Sequence, residues 1–251
     1  EIAQCLVGSE MCIRDRINRS MDKMNQDTLD SSQIQINSEV KANTDLSQMS
    51  GTQVIALVGV DARGVEGSEL AESMNSDTII LCCIDHDKQE IRMVSIMRDT
   101  WMNMAKYTDE YYEFDKANSA YNRGGPESML SMLNTNLDLA ITDYVTVDFN
   151  AIIECVDLLG GVDITITDDE ASLMTGYMRE LNELTGHNST PPASGGTYTL
   201  DGVQACAYAR IRYGGGDDYR RTERQRTVLT AMMQKAQKSN ICLLYTSDAA
   251  D

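Results

Sequence analysis

The sequence predicts an α/β fold, a three-layer αβα arrangement around a central mixed β-sheet. Three observations carry that expectation. Short apolar runs alternate with segments of helical period along most of the chain. The runs at 54–58, 79–84 and 91–96 have the length and near-continuous hydrophobicity of strands buried in a sheet. Asp85-His86-Asp87-Lys88 is a turn sequence between the second and third runs. That pair is therefore a hairpin, and the sheet is mixed and not wholly parallel.

The elements follow in order. Residues 17–50 are rich in Asn, Gln, Ser and Asp and read as a polar linker or peripheral segment. The strand at 54–58 runs into the glycine-flanked loop Gly59-Val60-Asp61-Ala62-Arg63-Gly64. A polar insert leads to Ser76-Asp77-Thr78 and the strand at 79–84, and the strand at 91–96 ends at Arg98-Asp99-Thr100. Pro126 follows Gly124-Gly125 and suits the first position of a helix. Met129, Leu130, Met132, Leu133 and Leu137 form its apolar face. Residues 144–149 alternate as a strand. Asn150 suits the cap of a helix with Ile152, Ile153, Val156 and Leu159 facing inward, and Gly160 stops it. A strand at 162–166 and a surface-lying helix at 168–184 come next. Pro191-Pro192 and Ser194-Gly195-Gly196 make 186–197 a loop. Asp201 caps a short helix leading to Tyr208-Ala209-Arg210-Ile211-Arg212, and a long helix runs from about 218 to 238.

The chain has 251 residues with 21 Lys and Arg against 39 Asp and Glu, a formal net charge of -18. Nucleic acid repels such a chain as a whole, and no helix-turn-helix pattern is present, so no nucleic-acid partner is expected. An anionic ligand must be captured by a local basic site. No run of 18 apolar residues is present to span a bilayer. The two ends read as foreign. Codons for Glu10 to Asp15 and for Cys242 to Ser247 can be written as reverse complements of one another, matching a transposase-type sequencing adapter. Residues 1–16 and 242–251 are accordingly expected to be scars, leaving 51–241 as the folded domain. Cys82, Cys83, Cys155 and Cys206 then remain, with no Cys-x-x-Cys spacing, and read as free thiols and not as a zinc site.

Six arginines, Arg210, Arg212, Arg220, Arg221, Arg224 and Arg226, fall within 17 residues. Arginine binds phosphate oxygens in bidentate fashion and keeps its charge. Arg221, Arg224 and Gln225 are spaced i, i+3, i+4 in the first turns of the last helix, where free N–H groups also favour an anion. The alternative is a solvated surface on which the arginines pair with Asp217, Asp218 and Glu223. Asp61 closes one strand and Asp77 opens the next, with Arg63 and Arg98 at equivalent strand edges. Two carboxylates there suit Mg2+, which takes one or two carboxylates plus phosphate oxygens and water. Turn chemistry alone also favours Asp in such loops. His86 and His187 read as surface residues.

From about 53 to 238 the chain resembles the LytR-CpsA-Psr domain. The matching blocks are Val58-Gly59-Val60-Asp61-Ala62-Arg63-Gly64, Ser76-Asp77-Thr78-Ile79 and Val94-Ser95-Ile96-Met97-Arg98-Asp99-Thr100. Lys116-Ala117-Asn118-Ser119-Ala120-Tyr121, Gly124-Gly125, and Val156-Asp157-Leu158-Leu159-Gly160-Gly161-Val162 follow. The last are Leu200-Asp201-Gly202, the stretch from Ala207 to Arg212, and the stretch from Asp218 to Gln225. The resemblance makes 51–241 a catalytic domain. It implies an extracytoplasmic phosphotransferase anchored to the membrane by a segment ahead of this chain. Its donor would be a polyprenyl-pyrophosphate-linked glycopolymer such as teichoic acid or capsule, its acceptor peptidoglycan and its cofactor Mg2+. Asp61 and Asp77 would hold the metal and share the catalytic work with Arg98. Arg63, Arg98, Arg210, Arg212, Arg221 and Gln225 would bind the pyrophosphate. Met129, Leu133, Ile152 and Val156 are candidates either for an apolar lipid tunnel or for plain core packing. Asn75 stands where many members carry arginine, and Arg220 where many carry glycine. The alternative function is a polyprenyl-pyrophosphate-binding or envelope-regulatory protein without transfer activity.

Overall fold

The structure, a computed structural model, describes residues 29–38, 40, 51–60, 76–104, 114–212 and 217–238. The expected scars, Asp61, Arg63 and Asn75 lie outside the described residues. The chain forms two compact units, one from Leu29 to Asn150 and one from Ala151 onward.

The first unit is built on a four-stranded sheet of order β3-β2-β1-β6. Its strands are β1 (Thr52–Val60), β2 (Ser76–Asp85), β3 (Glu90–Ile96) and β6 (Asp143–Val147). β1 pairs antiparallel with β2 and parallel with β6, so the sheet is mixed as expected. At the hairpin turn, the Asp85 carboxylate accepts from the Lys88 N–H at 2.9 Å, and Gln89 takes φ 52°. Side chains alternate across a strand, so Val54, Ala56, Val58 and Val60 share one face with Ile79 and Leu81. That face packs into the same core as Met129, Leu130, Met132 and Leu133 of helix α1 (Ser119–Leu137). Met129 and Leu133, weighed for a lipid tunnel, are fully buried in this core.

Pro126 opens the main stretch of α1, and the residues before it add a further turn. Gly124 (φ -178°, ψ 37°) and Gly125 (φ 63°, ψ -154°) break the helical path just ahead of the proline. Asn134 is fully buried and clamps the chain after α1, accepting from the Ile141 N–H at 2.7 Å and donating to its carbonyl at 3.0 Å. Two three-residue strands, β4 (Trp101–Asn103) and β5 (Phe114–Lys116), form an antiparallel ribbon. They are too short to leave a periodic signal. Asn136 of α1 grips the ribbon through both the N–H and the carbonyl of Asn103. Within the polar stretch 17–50, Ile34 is buried against this core and the Gln35 N–H donates to Ser131 Oγ at 2.9 Å.

In the second unit, helix α2 (Phe149–Leu158) starts at the boundary, one residue before Asn150, which is therefore not its cap. Val156 is fully buried and Ile152 half-buried. β7 (Val162–Ile166) pairs antiparallel with β8 (Gly196–Leu200) in a separate two-stranded ribbon. β8 occupies what the sequence presents as a loop end and the residues after it, because Ser194-Gly195-Gly196 carry turn signals up to its first residue. Gly161 (φ 86°) enters β7 where a Cβ would meet the Leu200 carbonyl at 2.8 Å.

Helix α3 (Asp168–Thr185) begins at a capping box between Thr167 and Glu170 and buries Ala171, Met174, Met178 and Leu181. Helix α4 (Gly202–Arg210) begins at a second box between Asp201 and Gln204, confirming Asp201 as a cap. Gly202 lies against the α2 backbone, where a Cβ would stand 2.3 Å from the Ile153 carbonyl oxygen. Helix α5 (Asp217–Lys238) completes the unit. No helix among the described residues is long and apolar enough to cross a membrane. Cys82, Cys83, Cys155 and Cys206 are free thiols.

Candidate functional site

In the first unit the site residues collect where β2 begins and β3 ends. Ile96 pairs with Ile79, and continuing that antiparallel register by two residues sets Arg98 opposite Asp77. The side chains meet accordingly: Arg98 Nη1 donates to Asp77 Oδ1 at 2.6 Å. Val60, the last residue of β1, pairs with Ser76 across a bulge, so β1 also ends beside Asp77. Arg98 Nε lies 3.4 Å from Asp99 Oδ2, and Lys116 Nζ donates to Asp99 Oδ1 at 2.7 Å. The Lys116 ammonium holds the Asp99 carboxyl below the usual carboxylate range. The Asn118 N–H donates to the Arg98 carbonyl at 3.0 Å, and the Ser76 N–H donates to the Asn118 carbonyl at 3.3 Å. Asn118 thus ties the start of α1 to Arg98 and to Ser76, the residue before Asp77. Arg123 and Ser119 both donate to Asp115 Oδ2, and the Lys116 N–H together with these two donors holds that carboxyl low. The sequence marks Asp99, Lys116 and Asn118 only as members of the blocks that carry the family resemblance. Their roles depend on pairings between distant elements.

Asp77 Oδ1 serves Arg98, and Oδ2 makes no hydrogen bond among the described residues. The Asp77 side chain is 42% exposed. One partly exposed carboxylate with an open oxygen suits Mg2+, which completes its shell with phosphate oxygens and water. Among the described residues no three His, Cys, Asp or Glu side chains gather to form an all-protein metal cage.

In the second unit the arginines divide by environment. Arg210 ends α4, donates from Nη2 to Glu180 at 3.2 Å, and lies 5.7 Å from the centre of the Tyr177 ring. The Arg212 N–H donates to the Tyr177 hydroxyl at 3.2 Å. Arg212 Nη2 is buried with no hydrogen-bond partner among the described residues. Arg221 is 4% exposed and pairs with Asp218 at 3.2 Å, one of the partners expected on a solvated surface, yet the arginine itself is buried. Gln225 is half-buried one turn on, and Arg220 is exposed. Arg224, on the same helical face as Arg221, is committed internally. Its Nε donates to Glu170 Oε1 at 2.8 Å and its Nη1 to the Ile211 carbonyl at 3.2 Å. Burial pushes the Glu170 carboxyl up, but the Thr167 N–H and Arg224 outweigh it and leave the group below its ordinary range. A polar depression of about 380 Å³ beside this pair is lined by Glu170, Tyr208, Arg220, Glu223, Arg224 and Thr227. It contains none of Arg210, Arg212, Arg221 or Gln225, so it is not the expected site. His86 and His187 are exposed, as expected.

Residues 16–250 match the model of the LytR_cpsA_psr family. The chain is 32% identical over 190 residues to a polyisoprenyl-teichoic acid–peptidoglycan teichoic acid transferase, TagU, of Halalkalibacterium halodurans, covering 74% of this chain and 54% of that protein. It is 30% identical over 184 residues to Biofilm regulatory protein A of Streptococcus mutans, covering 72% and 43%. The chain thus spans roughly half the length of these curated relatives. Protein gbs0355 from Streptococcus agalactiae shares the fold with a TM-score of 0.63 and 26% identity, over 79% of this chain and 65% of that one. TagT bound to LI-WTA gives a TM-score of 0.59 and 26% identity, over 75% and 66%. These likenesses bear out the α/β class, and with the family match across nearly the whole sequence they show that the chain belongs to the LytR_cpsA_psr family.

Proposed function

We propose that this chain carries the transferase domain that moves a glycopolymer of the teichoic acid kind from a polyprenyl-pyrophosphate carrier to peptidoglycan. The reaction uses Mg2+ at the extracytoplasmic face of the membrane. The observation that carries the reading is Arg212 Nη2, a cationic nitrogen buried without a hydrogen-bond partner among the described residues. Leaving a buried charged donor unsatisfied costs more than a typical hydrogen bond returns, so the position suits a bound anion. The transferase name of the TagU relative supports the same reading.

Each charged group has a part. Arg210, Arg212 and Arg221 neutralise phosphate oxygens, with Gln225 as a neutral hydrogen-bonding neighbour. Arg98 stabilises charge developing on the phosphate, and Asp77 holds Arg98 in place while offering its second oxygen to the metal. Asp61 and Arg63 complete the set in this proposal. Mg2+, when bound, neutralises phosphate charge as a Lewis acid. The acceptor hydroxyl forms a bond to the phosphorus next to the glycan, and its proton passes to water. Polyprenyl phosphate leaves with the electron pair of the bridging oxygen. The protein needs only to position the reactants and balance their charge.

Calorimetric titration with geranylgeranyl pyrophosphate, a soluble polyprenyl pyrophosphate, tests the reading. Arg212→Ala is expected to weaken binding by about 1.5–3 kcal/mol, the range for hydrogen bonds to charged groups. Unaltered affinity would remove Arg212 from the anion site and leave it a structural role.

A further inference from the structure

Arg224 belongs to the arginine cluster by sequence, but its contacts set it apart. It lies on the buried face of α5 with Arg221 and Val228, and is 8% exposed. A buried guanidinium needs partners, and Arg224 has two kinds. Its Nε donates to Glu170 Oε1 at 2.8 Å. Glu170 is itself anchored, since its Oε2 accepts from the Thr167 N–H at 3.0 Å and the Thr167 hydroxyl at 3.1 Å. This carboxylate therefore closes the α3 capping box with one oxygen and binds Arg224 with the other. The second partner is the Ile211 carbonyl, reached by Nη1 at 3.2 Å. Ile211 is fully buried, and at its φ -55°, ψ 125° the chain leaves the helical path of α4. It stands between Arg210 and Arg212. The Tyr177 hydroxyl takes the next N–H, that of Arg212, at 3.2 Å.

We propose that Arg224 is a positioning residue for the anion site. Through the Ile211 carbonyl it fixes the backbone from which Arg210 and Arg212 project, with Tyr177 holding the same segment from α3. Arg224 itself touches no phosphate. This rests on the pyrophosphate reading of Arg210 and Arg212. A backbone carbonyl held by a charged donor, next to an amide held by a phenol, leaves Arg210 and Arg212 little main-chain freedom. Their side chains then reach an anion without first ordering the loop.

Two readouts on the full chain test this, one with ligand and one without. Arg224→Lys keeps the charge beside Glu170, but one ammonium nitrogen cannot stand in for both Nε and Nη1. Without ligand, amide hydrogen exchange at Arg212 should quicken by about tenfold or more as the segment loosens. With geranylgeranyl pyrophosphate, affinity should fall about tenfold in the otherwise unchanged protein, and by less than about twofold when Arg210→Ala and Arg212→Ala are already present. Tyr177→Phe removes only the hydroxyl that accepts from Arg212 and should give the same pattern, so the test survives poor folding of the lysine variant. Equal affinity losses in both backgrounds would overturn the proposal, because they would make Arg224 a ligand contact. Unchanged exchange at Arg212 in both variants would overturn it too. If the unchanged protein binds no pyrophosphate, the functional reading fails, while the exchange measurement still decides whether Arg224 holds the segment.

Discussion

Asp77→Asn separates the role of the Asp77–Arg98 pair in stability from its role in chemistry. The pair is short, 2.6 Å, but its side chains are 42% and 24% exposed. Solvent screening at that exposure limits its contribution to stability to about 1 kcal/mol or less. Asparagine keeps an oxygen that accepts from Arg98, so part of even that is retained. For a chain of this size, 1 kcal/mol shifts Tm by about 2–4 °C. The chemical consequence is larger. Under the proposed function, Asp77 supplies a metal-binding oxygen with negative charge, and an amide cannot replace that charge. Magnesium-dependent transfer should fall by about a hundredfold or more, with only partial recovery at raised Mg2+. The assay is transfer of a lipid-linked glycopolymer to peptidoglycan across a magnesium titration, run beside a thermal melt. Normal transfer at low Mg2+ by a folded Asp77→Asn protein would refute the metal assignment. A Tm loss far beyond a few degrees would instead make Asp77 a structural residue at the start of β2.

Other expectations follow from the packing and the caps. Leu133→Ala empties part of the fully buried core and should cost about 2–5 kcal/mol by urea denaturation; a smaller loss would show that the core collapses around the gap. Asp201→Ala removes both the N-cap bond to Gln204 and the 2.6 Å acceptor of the Ser189 hydroxyl, and should cost about 1–2 kcal/mol. Glu170 has a folded-state carboxyl below its ordinary range. Its contribution is therefore complete above the unfolded value of about 4.3 and fades as pH falls through the folded value. Glu170→Gln should flatten that part of the stability curve in acid melts, and an unchanged acid limb would remove Glu170 from the account.

Much of the fold was legible because its strands and helices announce themselves locally. The runs around 54–58, 79–84 and 91–96 became β1, β2 and β3, and the turn at Asp85 to Lys88 made the hairpin. Asp201 was readable as a cap because its chemistry lies within four residues. β4, β5 and β8 were not, since each is short and depends on a partner elsewhere in the chain. The same division holds for the site. Asp77 and Arg98 could be singled out by residue type and strand position, and the register explains why they meet. Helical spacing put Arg221 and Arg224 on one face but could not divide their labour. That depends on Glu170 and Ile211, residues 54 and 13 positions away from Arg224.

The parallel pairing of β1 with β6 also bears on the order in which the first unit assembles. β2 and β3 are joined by a tight turn and close with little loss of chain freedom. β6 meets β1 only across the long stretch holding β2, β3, the β4–β5 ribbon and α1. Contacts at such sequence separation slow folding, so hairpin formation should precede docking of β6. Until β6 arrives, the β1 backbone groups on that side have no strand partner. An arrested chain would present them as an open edge to other molecules, which makes the 143–147 segment a determinant of folding yield as well as of the finished sheet.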